Sequence, residues 1–271
     1  MMSVMSWYGG KYILSKKFVE FIPDKIETYV EVFGGGASFL FAKRRSPKEV
    51  YNDLNSYVVN FFRVLRDENK SIELARLIEL TPYAREEFKL CRDTYIKDES
   101  LSDIEKARRL LVANQMSFSS TFHSFSNSGA DDWIRMPDRI RLCANRFKGV
   151  LIENLSFENI FEKYDSENTL FYCDPPYVQE TRKNPIVYYC EMDNEQHLKL
   201  LTILKEIKGY VMLSGFNSNL YNDNLKNWSK IEYEVKTSVN DPSKEDAKRI
   251  EVLWLNGRFG NIGKVETDRF W

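Results

Sequence analysis

Residues 28–33, TYVEVF, are a β-branched and aromatic run that ends on three glycines, followed by the apolar FLFA. That pattern predicts a strand, a tight turn and a helix. KEVYN at 48–52 predicts a second strand, after which Leu54, Tyr57, Val58, Phe61, Phe62 and Leu65 recur at helical spacing. Alternation of this kind predicts a parallel sheet with helices on its faces. From about residue 70 to 148 strand signals vanish, and SIELARLIEL, YAREEFKLCRDTY and DIEKARRLLVANQM all read as helices. Residues 117–137, SFSSTFHSFSNSGADDWIRMP, are polar, serine-rich and studded with aromatics. Strand-like runs return at 149–154, 169–173, 209–214, 230–235 and 249–256. The economical architecture is an α/β sheet domain built from both ends of the chain, residues 1–60 and 149–271. A helical insertion, residues 61–148, separates its second and third strands.

Composition narrows the partners. The 271 residues are 43% hydrophobic and 29% charged, an ordinary globular balance. With 39 basic and 40 acidic residues the net charge is −1, which excludes a uniformly basic coat. A nucleic-acid partner would need a local basic face, for which Arg135, Arg139, Arg141, Arg146 and Lys148 are candidates beside Asp131, Asp132 and Asp138. A solvated helix face explains each of them equally well. The four cysteines are far apart, and with only His123 and His197 beside them no zinc spacing appears, so no metal site is expected. Free thiols point to a reducing cytoplasm. No apolar run approaches the roughly 20 residues of a membrane span, and MMSVMSWYGGK does not read as a signal peptide.

Two strand ends are unusual, and in an open parallel sheet ligands bind at the carboxyl ends of strands. The first is VFGGGAS, where three glycines allow a tight turn and a close backbone approach to a ligand. Asp53 stands 19 residues after Gly34, the distance at which a ribose-binding acid is expected. A turn and a helix N-cap account for these residues equally well. The second is Asp174-Pro175-Pro176-Tyr177, at the end of the apolar TLFYC. Two prolines force an extended backbone without donors, so the Asp174 carboxylate and the Pro175 carbonyl can face one point as two acceptors. Tyr177 would add an aromatic plate there, its ring mattering more than its hydroxyl. Such a site suits a planar ligand bearing an NH2 group, such as a nucleobase. The plain alternative is a strand-ending turn. The polar stretch that follows, VQETRKNPIVYYCEM, is expected to act as a lid.

DPPY with an upstream FGGG resembles the amino-methyltransferases that use S-adenosylmethionine. The order glycine loop, insertion, DPPY is similar to that of the alpha group, the Dam-like DNA adenine-N6 methyltransferases. WYGGK (7–11), NDLN (52–55) and KGYVMLSGFNSNLY extend the likeness over nearly the whole chain, and KRIEVLWLN resembles the closing strand of phage-type members. The resemblance implies a Rossmann-like methyltransferase sheet with a helical target-recognition insertion. It implies S-adenosylmethionine as cofactor, held by Trp7, Lys11, Phe33, Gly34, Gly36, Asp53, Phe157 and Asp174. It further implies catalysis by Asp174, Pro175, Pro176 and Tyr177 on a flipped-out adenine of double-stranded DNA. A monomeric cytoplasmic enzyme of bacterial or phage origin, partnered by a cognate restriction endonuclease, completes that picture. The serine-rich loop departs from the RxN…FNxPxG pattern of GATC-reading members. Methylation of cytosine N4 or of adenine in RNA, and a non-catalytic DNA or cofactor binder, are the alternatives.

Overall fold

The computed structural model describes residues 3–5, 12–96, 99–181, 190–236 and 248–260. All seven strand-like runs are strands. They are β1 (Thr28–Glu31), β2 (Lys48–Asn52), β3 (Leu151–Glu153), β4 (Thr169–Cys173), β5 (Tyr210–Phe216), β6 (Ser229–Lys236) and β7 (Lys248–Leu255). By contacts the chain divides into two units, Met1–Phe21 with Gly34–Leu155, and Ile22–Phe33 with Ser156–Trp271.

In the first unit β2 and β3 run parallel, with Val50 beside Leu151 and Asn52 beside Glu153. Helices α1 (Tyr12–Phe18) and α2 (Ser38–Ala42) precede β2. Between β2 and β3 come α3 (Ser56–Arg66), α4 (Glu68–Leu80), α5 (Arg85–Thr94), α6 (Asp103–Gln115), α7 (Ala130–Ile134) and α8 (Met136–Phe147). The α3 stripe buries Val58, Phe61, Phe62 and Leu65 as its spacing demands. Leu54 departs from that stripe and is exposed, because Asn55 caps the helix by accepting from the Tyr57 amide, so Leu54 lies outside it. Phe62 stacks on Phe147 with ring centroids 4.7 Å apart, and Tyr51 lies 4.5 Å from Phe62. This aromatic stack fixes α3 and α8 against β2.

A buried ion triad reinforces the same junction. Arg146 of α8 donates to both carboxylate oxygens of Glu49, at 2.6 and 2.9 Å, and Lys43 pairs with the same carboxylate. Burial alone would push the Glu49 carboxyl up, yet the hydrogen bond from Arg146 and the Lys43 charge outweigh it and hold the pKa below the usual value. A depressed carboxyl pKa stabilises the fold above its unfolded pKa and loses that contribution as pH falls through the folded one. Glu49→Gln should therefore cost about 3–5 kcal/mol near neutrality by leaving two buried cations uncompensated. The gap in melting temperature between wild type and variant should shrink as pH falls below the ordinary carboxyl value of 4.5. A gap that stays constant down to strongly acid pH would refute this.

The second unit orders its strands β1-β4-β5-β7-β6. β1, β4 and β5 are parallel, whereas β7 is antiparallel to both β5 and β6. The parallel arrangement expected from the alternation holds for β1, β4 and β5, and the last two strands make the sheet mixed. A parallel return from β6 to β7 would need a crossover of about a dozen or more residues. Residues 237–247 fall short of it. Helices α9 (Phe157–Tyr164), α10 (Asn194–Glu206) and α11 (Asn219–Asn224) complete the unit, α10 opening on an Asp193–Gln196 capping box. Among the described residues no helix is long and apolar enough to cross a membrane.

Candidate active site

The glycine loop of the first unit is pinned at four points. The Gly34 amide donates to the Asn52 carbonyl (2.8 Å), and the Ala37 amide donates to the Gly34 carbonyl (2.7 Å). The Gly35 amide donates to Asp53 Oδ2 (2.7 Å), and the Tyr51 hydroxyl donates to the Gly35 carbonyl (2.8 Å). Gly35 needs its freedom because its φ is +46°. Gly34 needs its missing Cβ for a different reason. A Cβ there would lie 2.5 Å from Tyr51 Cζ and 2.8 Å from the Asn52 carbonyl oxygen. Close packing on the chain's own β2 is sufficient cause for this glycine.

Asp53 is not a helix cap; Asn55 is. Asp53 Oδ1 accepts from the Asn55 amide (2.7 Å) while Oδ2 holds Gly35, so the carboxylate bridges the start of α3 and the glycine loop. Burial pushes its carboxyl up, opposed by the amides of Asn55, Gly35 and Leu54, which favour the charged form. Asn154 Nδ2 donates to the Asp53 carbonyl (2.7 Å), and the Asn52 side chain exchanges bonds with Leu155. These ties to the segment after β3 had no signal in the sequence.

In the second unit the ends of β1 and β4 are neighbours, as the motif order predicts. Glu31 lies beside Tyr172, and the Val32 amide donates to the Tyr172 carbonyl (3.0 Å). Phe33 therefore leaves one strand next to where Asp174 leaves the other. Phe33 and Phe157 place their rings 6.0 Å apart, tilted by 40°, both half-buried. Asp174 Oδ1 accepts from the Ser214 hydroxyl at 3.0 Å.

Tyr177 differs from its expected form as an open plate. It is 6% exposed, its ring centroid lies 4.3 Å from that of Phe216 at 67°, and its hydroxyl donates to Glu251 at 3.1 and 3.2 Å. Phe216 and Glu251 are register partners on β5 and β7, so a cross-strand pair seats the tyrosine. Tyr177→Phe should lower stability by up to about 1.5–3 kcal/mol, the worth of a hydrogen bond to a charged group. Urea denaturation measures this; a variant as stable as wild type would return the hydroxyl to a passive role.

Trp7, Lys11 and most of the expected lid, residues 182–189, lie outside the described residues. Of the basic candidates, Arg146 is only 11% exposed and committed to Glu49, so it faces the core and not a ligand. Lys148 pairs with Glu68 and Arg141 with Asp138 on the surface. The serine-rich loop closes on itself through a Ser117–Phe125 bridge and leaves Phe118 57% exposed.

Residues 7–239 match the family model described as D12 class N6 adenine-specific DNA methyltransferase. The chain belongs to this family. Three relatives agree with that membership. The chain is 28% identical to the Type II methyltransferase M.FokI of Planomicrobium okeanokoites, over 84% of this chain but 38% of that protein. It is 24% identical to the Type II methyltransferase M.CviBI of Paramecium bursaria Chlorella virus NC1A, over 87% of this chain and 91% of the other. It is 25% identical to the Type II methyltransferase M1.LlaDCHI of Lactococcus lactis subsp. cremoris, over 94% of each. The chain thus spans well under half of M.FokI and nearly all of the other two. The mixed α/β sheet is consistent with the Rossmann-like fold of an adenine-specific DNA methyltransferase. A D12 class N6 adenine-specific DNA methyltransferase requires a methyl donor and a DNA acceptor.

Proposed function

We propose that this D12 class protein transfers a methyl group from S-adenosylmethionine to N6 of an adenine flipped out of duplex DNA, at a specific sequence. The observation that carries this reading is Asp174 at the carboxyl end of β4, fixed by Ser214 and followed by two prolines, beside the end of β1. The order FGGG, helical segment, DPPY supports the Dam-like alpha group, and KRIEVLWLN supports a phage-type member.

The residues present fit the cofactor. A carboxylate offers about four acceptor positions, and the amides of Gly35, Asn55 and Leu54 fill three of those on Asp53. The remaining one suits a hydroxyl of a ribose. Phe33, Gly34 and Gly36 would border the methionine end, Phe157 would pack on the adenine ring, and Trp7 and Lys11 would complete the site, Lys11 against the carboxylate. When bound, the cofactor supplies an electrophilic methyl on a sulfonium.

Asp174 and the Pro175 carbonyl would accept the two amine hydrogens of the target, favouring a pyramidal nitrogen whose lone pair is free. Positive charge develops on that nitrogen in the transition state, so a fixed carboxylate stabilises it more than the ground state. Pro176 keeps the backbone extended and donor-free. Tyr177, its ring packed on Phe216 and its hydroxyl on Glu251, would form a wall of the pocket for the flipped base, whose extrusion costs a few kcal/mol. The segment 61–148 would be the DNA-reading part, the serine-rich loop supplying hydroxyls and amides to base edges. The Type II names of the relatives support a cognate restriction endonuclease as partner. A monomer in the cytoplasm completes the proposal.

The test is to incubate the protein with labelled S-adenosylmethionine and duplex DNA, then resolve the nucleosides. N6-methyladenine is the expected product, and single-molecule sequencing of the DNA gives its site. N4-methylcytosine, methylation confined to RNA, or no product would overturn the reading.

A further inference from the structure

The hydroxyl that meets Asp174 is itself supplied with a hydrogen bond from behind. Ser214 is fully buried on β5. The parallel register sets Cys173 beside Leu213, so the next residue on each strand, Asp174 and Ser214, comes into range. Ser214 Oγ lies 3.0 Å from Asp174 Oδ1 and 3.1 Å from the Tyr172 hydroxyl; the Cys173 carbonyl is farther, at 3.4 Å. A serine hydroxyl has one hydrogen and two acceptor positions. A carboxylate is a stronger acceptor than a carbonyl, so that hydrogen belongs to Asp174. Ser214 Oγ must then accept from Tyr172.

The surroundings make Tyr172 a dependable donor. It is 2% exposed, and burial, then the charge of Asp174, and also Glu31 and Glu251, push its hydroxyl well above the ordinary tyrosine value. The phenol keeps its proton. The direction of the chain is thereby fixed, from the Tyr172 hydroxyl to Ser214 Oγ to Asp174 Oδ1, each donor polarising the next.

We infer that Ser214, oriented by Tyr172, is a positioning residue for methyl transfer: it holds Asp174 Oδ1 so that Oδ2 is turned to the target amine. This rests on the role given to Asp174 above. A carboxylate free to rotate about its last bond would present a productive oxygen only part of the time, and preorganisation of the group is what makes it useful in the transition state. No group in the chain reacts, so the effect belongs to kcat and not to binding.

The experiment is a set of steady-state and binding measurements on Ser214→Ala, Tyr172→Phe, the double variant and Asp174→Ala, all in the full chain with duplex DNA. Ser214→Ala should lower kcat about tenfold, with KM for DNA and the Kd for S-adenosylmethionine within twofold of wild type. Tyr172→Phe should lower kcat about threefold. The double variant should be no worse than Ser214→Ala, because Tyr172 acts through the serine. Full kcat in folded Ser214→Ala, or a loss seen only in melting temperature, would overturn the positioning role if Asp174→Ala is inactive, and would leave the Asp174 assignment standing. Independent, multiplying losses in the double variant would overturn the chain from Tyr172. Near-full turnover by Asp174→Ala would overturn the assignment of Asp174 itself, and the inference with it.

Discussion

Asp174→Ala should cut the rate of methyl transfer by two to three decades while the protein keeps its fold. The size follows from removing one preorganised electrostatic group, worth about 2–4 kcal/mol in the transition state. The fold should tolerate the change because Asp174 lies just past the end of β4 and is half-buried, while the strand's own register with β1 and β5 involves residues up to Cys173. Ser214 loses its carboxylate but retains the Cys173 carbonyl at 3.4 Å as an acceptor, which limits the penalty of an unsatisfied hydroxyl. Single-turnover measurement with saturating DNA isolates the chemical step, and circular dichroism checks the fold. A folded variant that turns over at near wild-type rate would remove Asp174 from the mechanism.

Asp53→Ala should act on the cofactor instead, lowering its affinity at least tenfold by calorimetry. Two contributions combine. A ribose hydroxyl loses its acceptor, at about 1.5–3 kcal/mol for a hydrogen bond to a charged group. The glycine loop also loses the bond from the Gly35 amide, one of the four points that hold it, and a looser loop must be ordered at the moment of binding. Asp53→Asn separates the two. It retains one oxygen for a loop amide but removes the charge, so it should recover part of the affinity. Methyl transfer at saturating cofactor should fall far less in either variant than in Asp174→Ala. Unchanged affinity in Asp53→Ala would leave Asp53 as a structural bridge between the loop and α3.

Some features were legible because their cause is local. All seven strands stand where β-branched and aromatic runs predict them, and α4, α5 and α6 coincide with the three helical patterns. DPPY and FGGG are contiguous, and their placement at the ends of neighbouring parallel strands follows from the alternation of elements. The capping residue of α3 shows where local reading begins to fail. Asp53 and Asn55 are both good caps by type, and the sequence offers no means of choosing. The backbone chooses Asn55, because Asp53 is turned back toward Gly35.

The sequence by itself determined the α/β class, the positions of its strands and of helices α2 to α6, and the chemical character of the two strand ends. Each of those depends on residues within a few positions of one another, through periodicity, turn formation or a short motif. Tertiary structure alone decided that β7 lies between β5 and β6, that Arg146 turns inward to Glu49, that Tyr177 donates to Glu251 and that Ser214 holds Asp174. The last three partners stand 97, 74 and 40 residues apart. At such separations a polar residue carries no mark of its partner. An arginine that will neutralise a buried carboxylate reads like one that will meet a phosphate, and a serine inside an apolar strand reads like a neutral filler. What distinguishes them is burial: once packing removes water from Glu49 and Glu251, and in part from Asp174, each carboxylate takes donors within the protein, and strand register determines which ones are in reach.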